Sequence, residues 1–151
     1  MDITKLLNTN MINLKLEAKD KIDVINKLTD MLYKEGCLRD REVFIKAVLD
    51  RENEFTTGVG RQVAIPHGKS EGVKNTSVAF ARLREPIDWQ SIDDNPVRVV
   101  FLLAVKKEDE CEMHLRILSK IAVNLMEDEF VEGLFTANNN HEVLQLISQI
   151  N

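Results

Sequence analysis

The sequence Gly58-Val59-Gly60-Arg61-Gln62-Val63-Ala64-Ile65-Pro66-His67-Gly68-Lys69-Ser70 separates a helical N-terminal part of the chain from a middle part rich in strands. It predicts a glycine-containing turn and then a short apolar strand that stops at Pro66, because proline lacks an N–H and biases the preceding residue toward extended geometry. His67 is therefore predicted to lie just beyond the end of a strand rather than inside one. Gly68 would let an anion or another backbone approach closely. This placement predicts a functional histidine, although a lone histidine is more often a surface residue or a satisfied polar group.

The segments on the N-terminal side of this stretch predict one strand and two helices. Apolar and polar residues alternate over 12–16, which is typical of a strand. Helical spacing follows over 20–36, with an aspartate before it and a glycine to end it. Asp40 can cap a second helix that ends near 51–54. The buried stripe predicted for this second helix consists of Val43, Phe44, Ala47 and Val48.

The segments on the C-terminal side predict strands followed by helices. Three strands are predicted, over 63–65, 76–83 and 97–105. Pro86 and Pro96 bracket a loop between the last two. A helix that begins near 110–112 is predicted to bury Leu115, Leu118, Ile121, Ala122 and Leu125. A short helix over 128–135 and a last one capped by Asn140 complete the pattern, which favours a three-layer α/β/α sandwich with a central mixed β-sheet, forming one domain over 1–151.

Composition narrows the class of protein. A chain of 151 residues fits a single domain with a sizeable core, and neither a metal nor a disulfide is required. The net charge of −5 argues against nucleic acid or an anionic membrane surface as the main partner. Cys37 and Cys111 suggest free thiols in a reducing compartment. The N-terminus does not resemble a signal peptide and the longest apolar run, Val99 to Val105, is too short to span a bilayer, so we expect a cytoplasmic protein that is not embedded in a membrane.

The candidate site consists of two histidines and nearby cations. His114 is predicted near the N-terminus of its helix, where the helix dipole lowers the pKa and favours the neutral ring; a buried structural histidine is the equal alternative. His141 is predicted to be a surface residue. Arg51, Arg61 and Lys69 could neutralise a phosphoryl group, or could simply be solvated. Possible further donors are Thr56, Thr57 and the backbone amides of Gly58, Gly60 and Gly68.

Metal binding is an alternative reading of the same residues. Cys111-x-x-His114 places two possible ligands one helical turn apart, and His67 could be a third. No second cluster of cysteine and histidine is present in the sequence, and such spacing is common by chance, so no metal or other cofactor is expected. The sequence also contains no G-x-S-x-G elbow, Walker loop or dinucleotide fingerprint.

The motifs over 51–70 resemble the enzyme IIA domain of the bacterial sugar phosphotransferase system, of the fructose–mannitol type. The likeness is carried by Arg51-Glu52, Thr57-Gly58-Val59-Gly60 and Ala64-Ile65-Pro66-His67-Gly68-Lys69-Ser70. It continues through Val78-Ala79-Phe80-Ala81-Arg82, Pro86-Ile87-Asp88-Trp89, Val100-Phe101-Leu102-Leu103 and His114-Leu115-x-x-Leu118, and so covers nearly the whole chain. Gln62 departs from the pattern, since many relatives have glycine there; a non-glycine residue disfavours a positive φ and should leave His67 unaffected.

This resemblance implies a mechanism. His67 would accept a phosphoryl group on its tele nitrogen from the phosphocarrier protein HPr and pass it to a cysteine of the cognate IIB component, without a metal or another cofactor. His114 would support the transfer. Arg51, Thr57, Gly58, Gly60 and Gly68 would stabilise the phosphoryl group, with the three glycines bringing the backbone close to it.

Two other functions stay open at this stage. A regulatory IIA protein of the nitrogen-related kind would keep the phosphorylated histidine but control other proteins. Gly68-Lys69-Ser70-Glu71 and the Pro86-Ile87-Asp88-Trp89 loop look closer to fructose-type transport components. The remaining possibility is a non-enzymatic module that uses the same pocket to bind an anion.

Overall fold

The computed structural model describes residues 2–109 and 112–150. Its strands are β1 (Ile12–Leu16), β2 (Gly58–Gly60), β3 (Val63–Ala64), β4 (His67–Ser70), β5 (Ser77–Ile87) and β6 (Val97–Lys106). Its α-helices are α1 (Lys21–Lys34), α2 (Arg41–Glu54), α3 (Met113–Asn124), α4 (Asp128–Thr136) and α5 (Asn140–Ser148). Two short 3-10 helices, Ile3–Leu6 and Thr9–Met11, precede β1. Within these ranges no helix is long and apolar enough to cross a membrane.

The six strands form one mixed sheet with the order β1-β5-β6-β3-β2. β5 and β6 are antiparallel, and β1 runs parallel to β5. β3 and β4 both pair in parallel with β6, β3 near its beginning and β4 near its end. The apolar run of β6 is buried from Val99 to Val105, as expected for a strand that is covered on both faces. This strand is the common neighbour of the segments that carry the candidate site.

Helices flank the sheet, which confirms the predicted α/β/α sandwich. α1 packs against β5 and α2 against β4, while α3 packs against β6 and α5 against β1. Asp20 caps α1 by accepting from Asp23 N, and Asp40 caps α2 by accepting from Val43 N, so both predicted helix starts are confirmed. One core cluster joins the sheet to these helices, and Trp89, Phe44, Phe80 and Phe101 are its largest fully buried side chains.

Three predictions of local structure were wrong. Pro66 does end β3, but β4 starts at once with His67, because the chain resumes parallel pairing with Leu103 of β6. The N-cap of α5 is Asn139, whose side chain accepts from Glu142 N; the amide of Asn140 donates instead to the carbonyls of Thr9 and Ile12. β5 also continues beyond Leu83 to Ile87 through a register shift.

The buried stripes of two helices are rotated from their predicted positions. In α2, Val43 is 44% exposed and Ala47 half-buried, whereas Ile45 is buried beside the predicted Phe44 and Val48. In α3, Leu115 and Ala122 are exposed and Leu118 is half-buried; the buried positions are Ile117, Ile121 and, just after the helix, Leu125. An apolar pattern on a short helix fits more than one stripe, and packing against the sheet selects among them.

The β2–β3 turn has an unusual backbone. Arg61 and Gln62 both have positive φ, 59° and 64°, in the left-handed region that disfavours residues with a side chain. A non-glycine residue at position 62 therefore does not prevent a positive φ here. The turn is held by its carbonyl, since Gln62 O accepts from the backbone N–H groups of both Arg98 and Val99.

Candidate functional site

His67 lies at the break between β3 and β4. Its Nδ1 is 3.0 Å from the carbonyl oxygen of Ile65, two residues earlier. Because a carbonyl oxygen can only accept, Nδ1 must carry the hydrogen, and Nε2 then keeps its lone pair. Burial lowers the pKa of His67, and the nearby Arg51 and His114 lower it further; the hydrogen bond to Ile65 and the carboxylate of Glu52 act in the opposite direction. The ring is therefore favoured in its neutral, nucleophilic form.

His114 lies in the first turn of α3, beside His67. The two rings are stacked with centroids 6.3 Å apart and an angle of 25° between their planes. Burial lowers the pKa of His114, and the ammonium of Lys69 lowers it further. The neutral ring is therefore favoured, as predicted, but its main cause is burial rather than the helix dipole. Its Nδ1 is buried without a hydrogen-bond partner among the described residues.

Cations and carboxylates complete a cleft of about 300 Å³, which we call the histidine cleft. Its lining consists of Ala47, Asp50, Arg51, Glu54, His67, Gly68, Lys69, Val105 and His114. Arg51 is anchored by donating from Nη1 to the carbonyl of Phe55 at 2.8 Å. Lys69 Nζ donates to the carbonyl of Asp109 at 3.1 Å. Both cations belong to the same cleft as the two histidines, an arrangement that can stabilise negative charge next to a neutral nucleophile.

Five of the predicted cations and donors are absent from the lining of the histidine cleft. The hydroxyl of Thr56 donates to the carbonyl of Trp89 and accepts from Gly58 N. Thr57 is buried, and both its N–H and its hydroxyl donate to Glu52. Arg61 pairs with Asp128, with 2.7 Å between Nη2 and Oδ1. Gly58 and Gly60 are residues of β2. Any contact of these five with a phosphoryl group stays a prediction.

Glycine at positions 58 and 68 has a packing explanation in this structure. A Cβ on Gly58 would lie 2.1 Å from Oγ and 2.9 Å from Cα of Ser91. A Cβ on Gly68 would lie 3.0 Å from Cγ2 and 3.1 Å from the backbone nitrogen of Val48 in α2. The Cβ on Gly58 would overlap Ser91, and the Cβ on Gly68 would crowd α2, so packing alone favours glycine at both positions.

The remaining sequence candidates are located as follows. His141 is exposed on α5, as predicted. Cys111, which carried the metal alternative together with His67 and His114, lies outside the described residues. Among residues 2–109 and 112–150 no three histidine, cysteine, aspartate or glutamate side chains are grouped as metal ligands.

Sequence reasoning missed the role of two buried residues, Glu52 and Trp89. The side chain of Glu52 is only 4% exposed and accepts hydrogen bonds from Thr57 and Lys21. Trp89 is fully buried, and its Nε1 donates to Thr57 Oγ1 at 3.1 Å. A signal for Glu52 existed, because it follows the buried Phe44 and Val48 at intervals of four residues and so falls on the inward face of α2.

Sequence comparison connects the chain to curated proteins. Residues 5–150 match the family described as phosphoenolpyruvate-dependent sugar phosphotransferase system, EIIA 2. The fructose-specific EIIA component of Haloferax volcanii is 34% identical over 149 residues, which are 99% of this chain and 96% of that protein. The fructose-specific EIIABC component of Bacillus subtilis is 36% identical over 99% of this chain, but the chain spans only 23% of that longer protein.

Structure comparison points to the same family. The nitrogen regulatory protein IIA-Ntr of Neisseria meningitidis superposes with a TM-score of 0.84 at 31% identity, over 96% of this chain and 98% of that one. The mannitol enzyme IIA of Escherichia coli, in its complex with phosphorylated enzyme IIB, superposes with a TM-score of 0.79 at 26% identity, over 93% and 96% of the two chains. The family match, the full-length relatives and the fold agree, and the chain belongs to the EIIA 2 family of the sugar phosphotransferase system, a family of phosphotransferase components for fructose- and mannitol-type sugars.

Proposed function

We propose that this chain is a single-domain, cytoplasmic phosphoryl carrier whose phosphorylated atom is Nε2 of His67. The observation that carries the proposal is the hydrogen bond from His67 Nδ1 to the Ile65 carbonyl, which leaves the lone pair on Nε2. The donor would be the phosphocarrier protein HPr, and the acceptor a cysteine of the cognate IIB component in fructose-type sugar uptake. The complex of the E. coli mannitol IIA with a phosphorylated IIB protein supports this partner class.

The chemistry follows from the positions of the two ring nitrogens of His67. Nε2 attacks the phosphorus of the donor phosphohistidine; a new N–P bond forms as the old one breaks, and the electron pair of the old bond returns to the donor ring. The proton stays on Nδ1, so the phosphorylated ring gains positive character that the Ile65 carbonyl stabilises. In the second transfer the cysteine thiolate attacks the same phosphorus, and the electron pair of the N–P bond returns to Nε2.

Arg51, Lys69 and His114 are proposed to stabilise the phosphoryl oxygens during both transfers. All three line the histidine cleft, and phosphoryl transfer depends mainly on positioning and electrostatic stabilisation. Arg51 and Lys69 are each held by a backbone carbonyl, so little reorganisation is needed when charge develops. The imidazole of His114 can donate a hydrogen bond to a phosphoryl oxygen held in the cleft that it lines.

Phosphorylation with purified enzyme I, HPr and labelled phosphoenolpyruvate tests the proposal. We expect one acid-labile, base-stable phosphoryl group on the parent protein and none on His67→Ala. His141→Ala is the matched control, because that histidine is exposed on α5 and absent from the cleft lining, and it should be labelled like the parent. A His67→Ala protein labelled as well as the parent would contradict the assignment and favour an anion-binding module.

His114→Ala separates support of transfer from structure. We expect it to fold and to accept the phosphoryl group, but to pass it to IIB about 100-fold more slowly, the typical effect of losing one stabilising donor. Onward transfer at the parental rate would show that His114 is structural.

A regulatory role is the second candidate function. It is favoured by the similarity to the nitrogen regulatory IIA-Ntr of N. meningitidis, at 31% identity over almost the entire chain. Phosphoryl transfer to purified IIB proteins of fructose and mannitol permeases separates the two roles. Rapid transfer to one IIB supports transport, whereas a phosphorylated protein that no IIB discharges would support regulation.

A further inference from the structure

Glu52 is a buried carboxylate directly after Arg51 of the histidine cleft. It is the only buried charged residue in the part of the chain that the structure describes, 2–109 and 112–150. Its Oε1 accepts from the hydroxyl of Thr57 at 2.5 Å, and its Oε2 accepts from Thr57 N at 3.0 Å and from Lys21 Nζ at 3.5 Å. A carboxylate removed from water requires such partners, so the position of Thr57 relative to α2 is strongly determined.

Thr57 connects this carboxylate to the residue that orients His67. The carbonyl of Thr57 accepts from Ile65 N at 3.0 Å, and the carbonyl of Ile65 is the partner of His67 Nδ1. Thr57 Oγ1 also accepts from Trp89 Nε1 at 3.1 Å, which gives the hydroxyl a second partner besides Glu52. Every polar atom of Thr57 therefore has a partner within the protein, and the residue is only 4% exposed.

We propose that Thr57 is a positioning residue: the Glu52–Thr57 pair holds the backbone of Ile65 so that its carbonyl selects the Nδ1–H tautomer of His67. This replaces the expectation that Thr57 contacts the phosphoryl group directly, since its donors point to Glu52. The inference rests on the phosphoryl-carrier function proposed above, because the selected tautomer is the one with Nε2 free for phosphoryl transfer.

The tautomer of His67 is measurable without any phosphoryl transfer. Nitrogen-15 NMR of the imidazole rings distinguishes Nδ1–H from Nε2–H, and we expect the Nδ1–H form in the parent protein. Thr57→Val keeps the shape but removes the hydroxyl, leaving Glu52 Oε1 and Trp89 Nε1 without a partner. The tautomer ratio should then shift toward Nε2–H by about three- to tenfold, the effect of weakening one hydrogen bond.

Two variants control for a general effect on packing. Thr57→Ser retains the hydroxyl and should restore the parental ratio. Thr29→Val removes an equally buried hydroxyl from α1, where it donates to Ile25 O, and should leave the ratio unchanged. In transfer from phospho-HPr, the kcat of Thr57→Val should fall in proportion to the fraction of His67 in the Nδ1–H form. KM should stay unchanged, because Thr57 does not reach the surface.

The outcomes separate this inference from the proposed function. A folded Thr57→Val protein with the parental ratio overturns the inference, and a loss of kcat without a change of tautomer favours direct phosphate contact instead. If Thr57→Val does not fold, Glu52→Gln takes its place, and an unchanged ratio there overturns the inference equally. A parent in the Nε2–H form also overturns it, whereas a parent with the Nδ1–H form that is never phosphorylated refutes only the phosphoryl-carrier function.

Discussion

Replacing Gly68 by alanine tests whether this glycine serves packing or phosphate binding. The added methyl group would lie 3.0 Å from Val48 Cγ2, 3.1 Å from Val48 N and 3.4 Å from the carbonyl carbon of Ala47. Relaxed carbon–carbon contacts lie at about 3.5–4.0 Å, so each neighbour must retreat by a few tenths of an ångström. Two of the three atoms are backbone of α2, so α2 as a unit must move away from β4.

The size of the effect follows from these contacts. Overpacking of this kind costs about 1–3 kcal/mol. Alanine restricts the unfolded chain more than glycine does, which offsets about 0.4–1 kcal/mol. We therefore expect the free energy of unfolding of Gly68→Ala to fall by about 1–2 kcal/mol, with a melting temperature lower by about 2–8 °C for a domain of this size.

Urea denaturation of Gly68→Ala and Gly133→Ala provides the measurement and its control. In Gly133→Ala the three atoms nearest to the new Cβ all belong to the flexible side chain of Leu146, with Cδ2 at 2.8 Å, Cδ1 at 2.9 Å and Cγ at 3.4 Å. Since alanine is also favoured over glycine inside a helix by about 1 kcal/mol, we expect that variant to be as stable as the parent or more so. A Gly68→Ala protein with parental stability but slow phosphorylation would refute the packing argument and show that the glycine admits the phosphoryl group.

Three further predictions concern His67 and the β2–β3 segment that precedes it. The pKa of His67 is lower in the folded protein than in the unfolded chain. Below about pH 6.5 the unfolded chain therefore binds more protons, and the stability contributed by the neutral ring is lost as the pH falls. The stability advantage of the parent over His67→Gln should therefore shrink between pH 7.5 and 5.5 in urea titrations; a constant difference would show that His67 does not contribute. Gly58→Ala should cost more than Gly68→Ala in the same titrations, because its Cβ would lie 2.9 Å from the backbone Cα of Ser91; equal stability to the parent would mean that the loop carrying Ser91 yields freely. Gln62→Val should be less stable than Gln62→Asn by about 1 kcal/mol, since β-branched residues tolerate the left-handed region poorly; thermal melts that coincide would argue against a positive φ at this position.

Local sequence was sufficient for much of the fold. Several elements depend only on neighbours in the chain and so could be predicted without a structure. They are the aspartates at the starts of α1 and α2, the alternation of β1 and the apolar run of β6. The motif around His67 and the position of His114 likewise predicted the two histidines of the cleft. The buried stripes of α2 and α3 were less predictable, because Val43 and Leu115 are apolar yet exposed, and only the packing partner decides which face turns inward.

The sequence by itself determined the fold class and the family and selected His67 as the candidate nucleophile, since each depends on short segments whose residue types limit what the backbone can do. Tertiary structure alone decided what surrounds that histidine. Thr57 is predicted to donate to a phosphoryl group, and only the structure shows that α2 brings a buried carboxylate to it, which takes the nearest N–H and O–H groups as partners. Gly68 is predicted to let an anion approach, and only the structure shows that α2 packs close enough to this position to crowd an added Cβ. Both outcomes depend on contacts between segments distant in the chain, which no local pattern encodes.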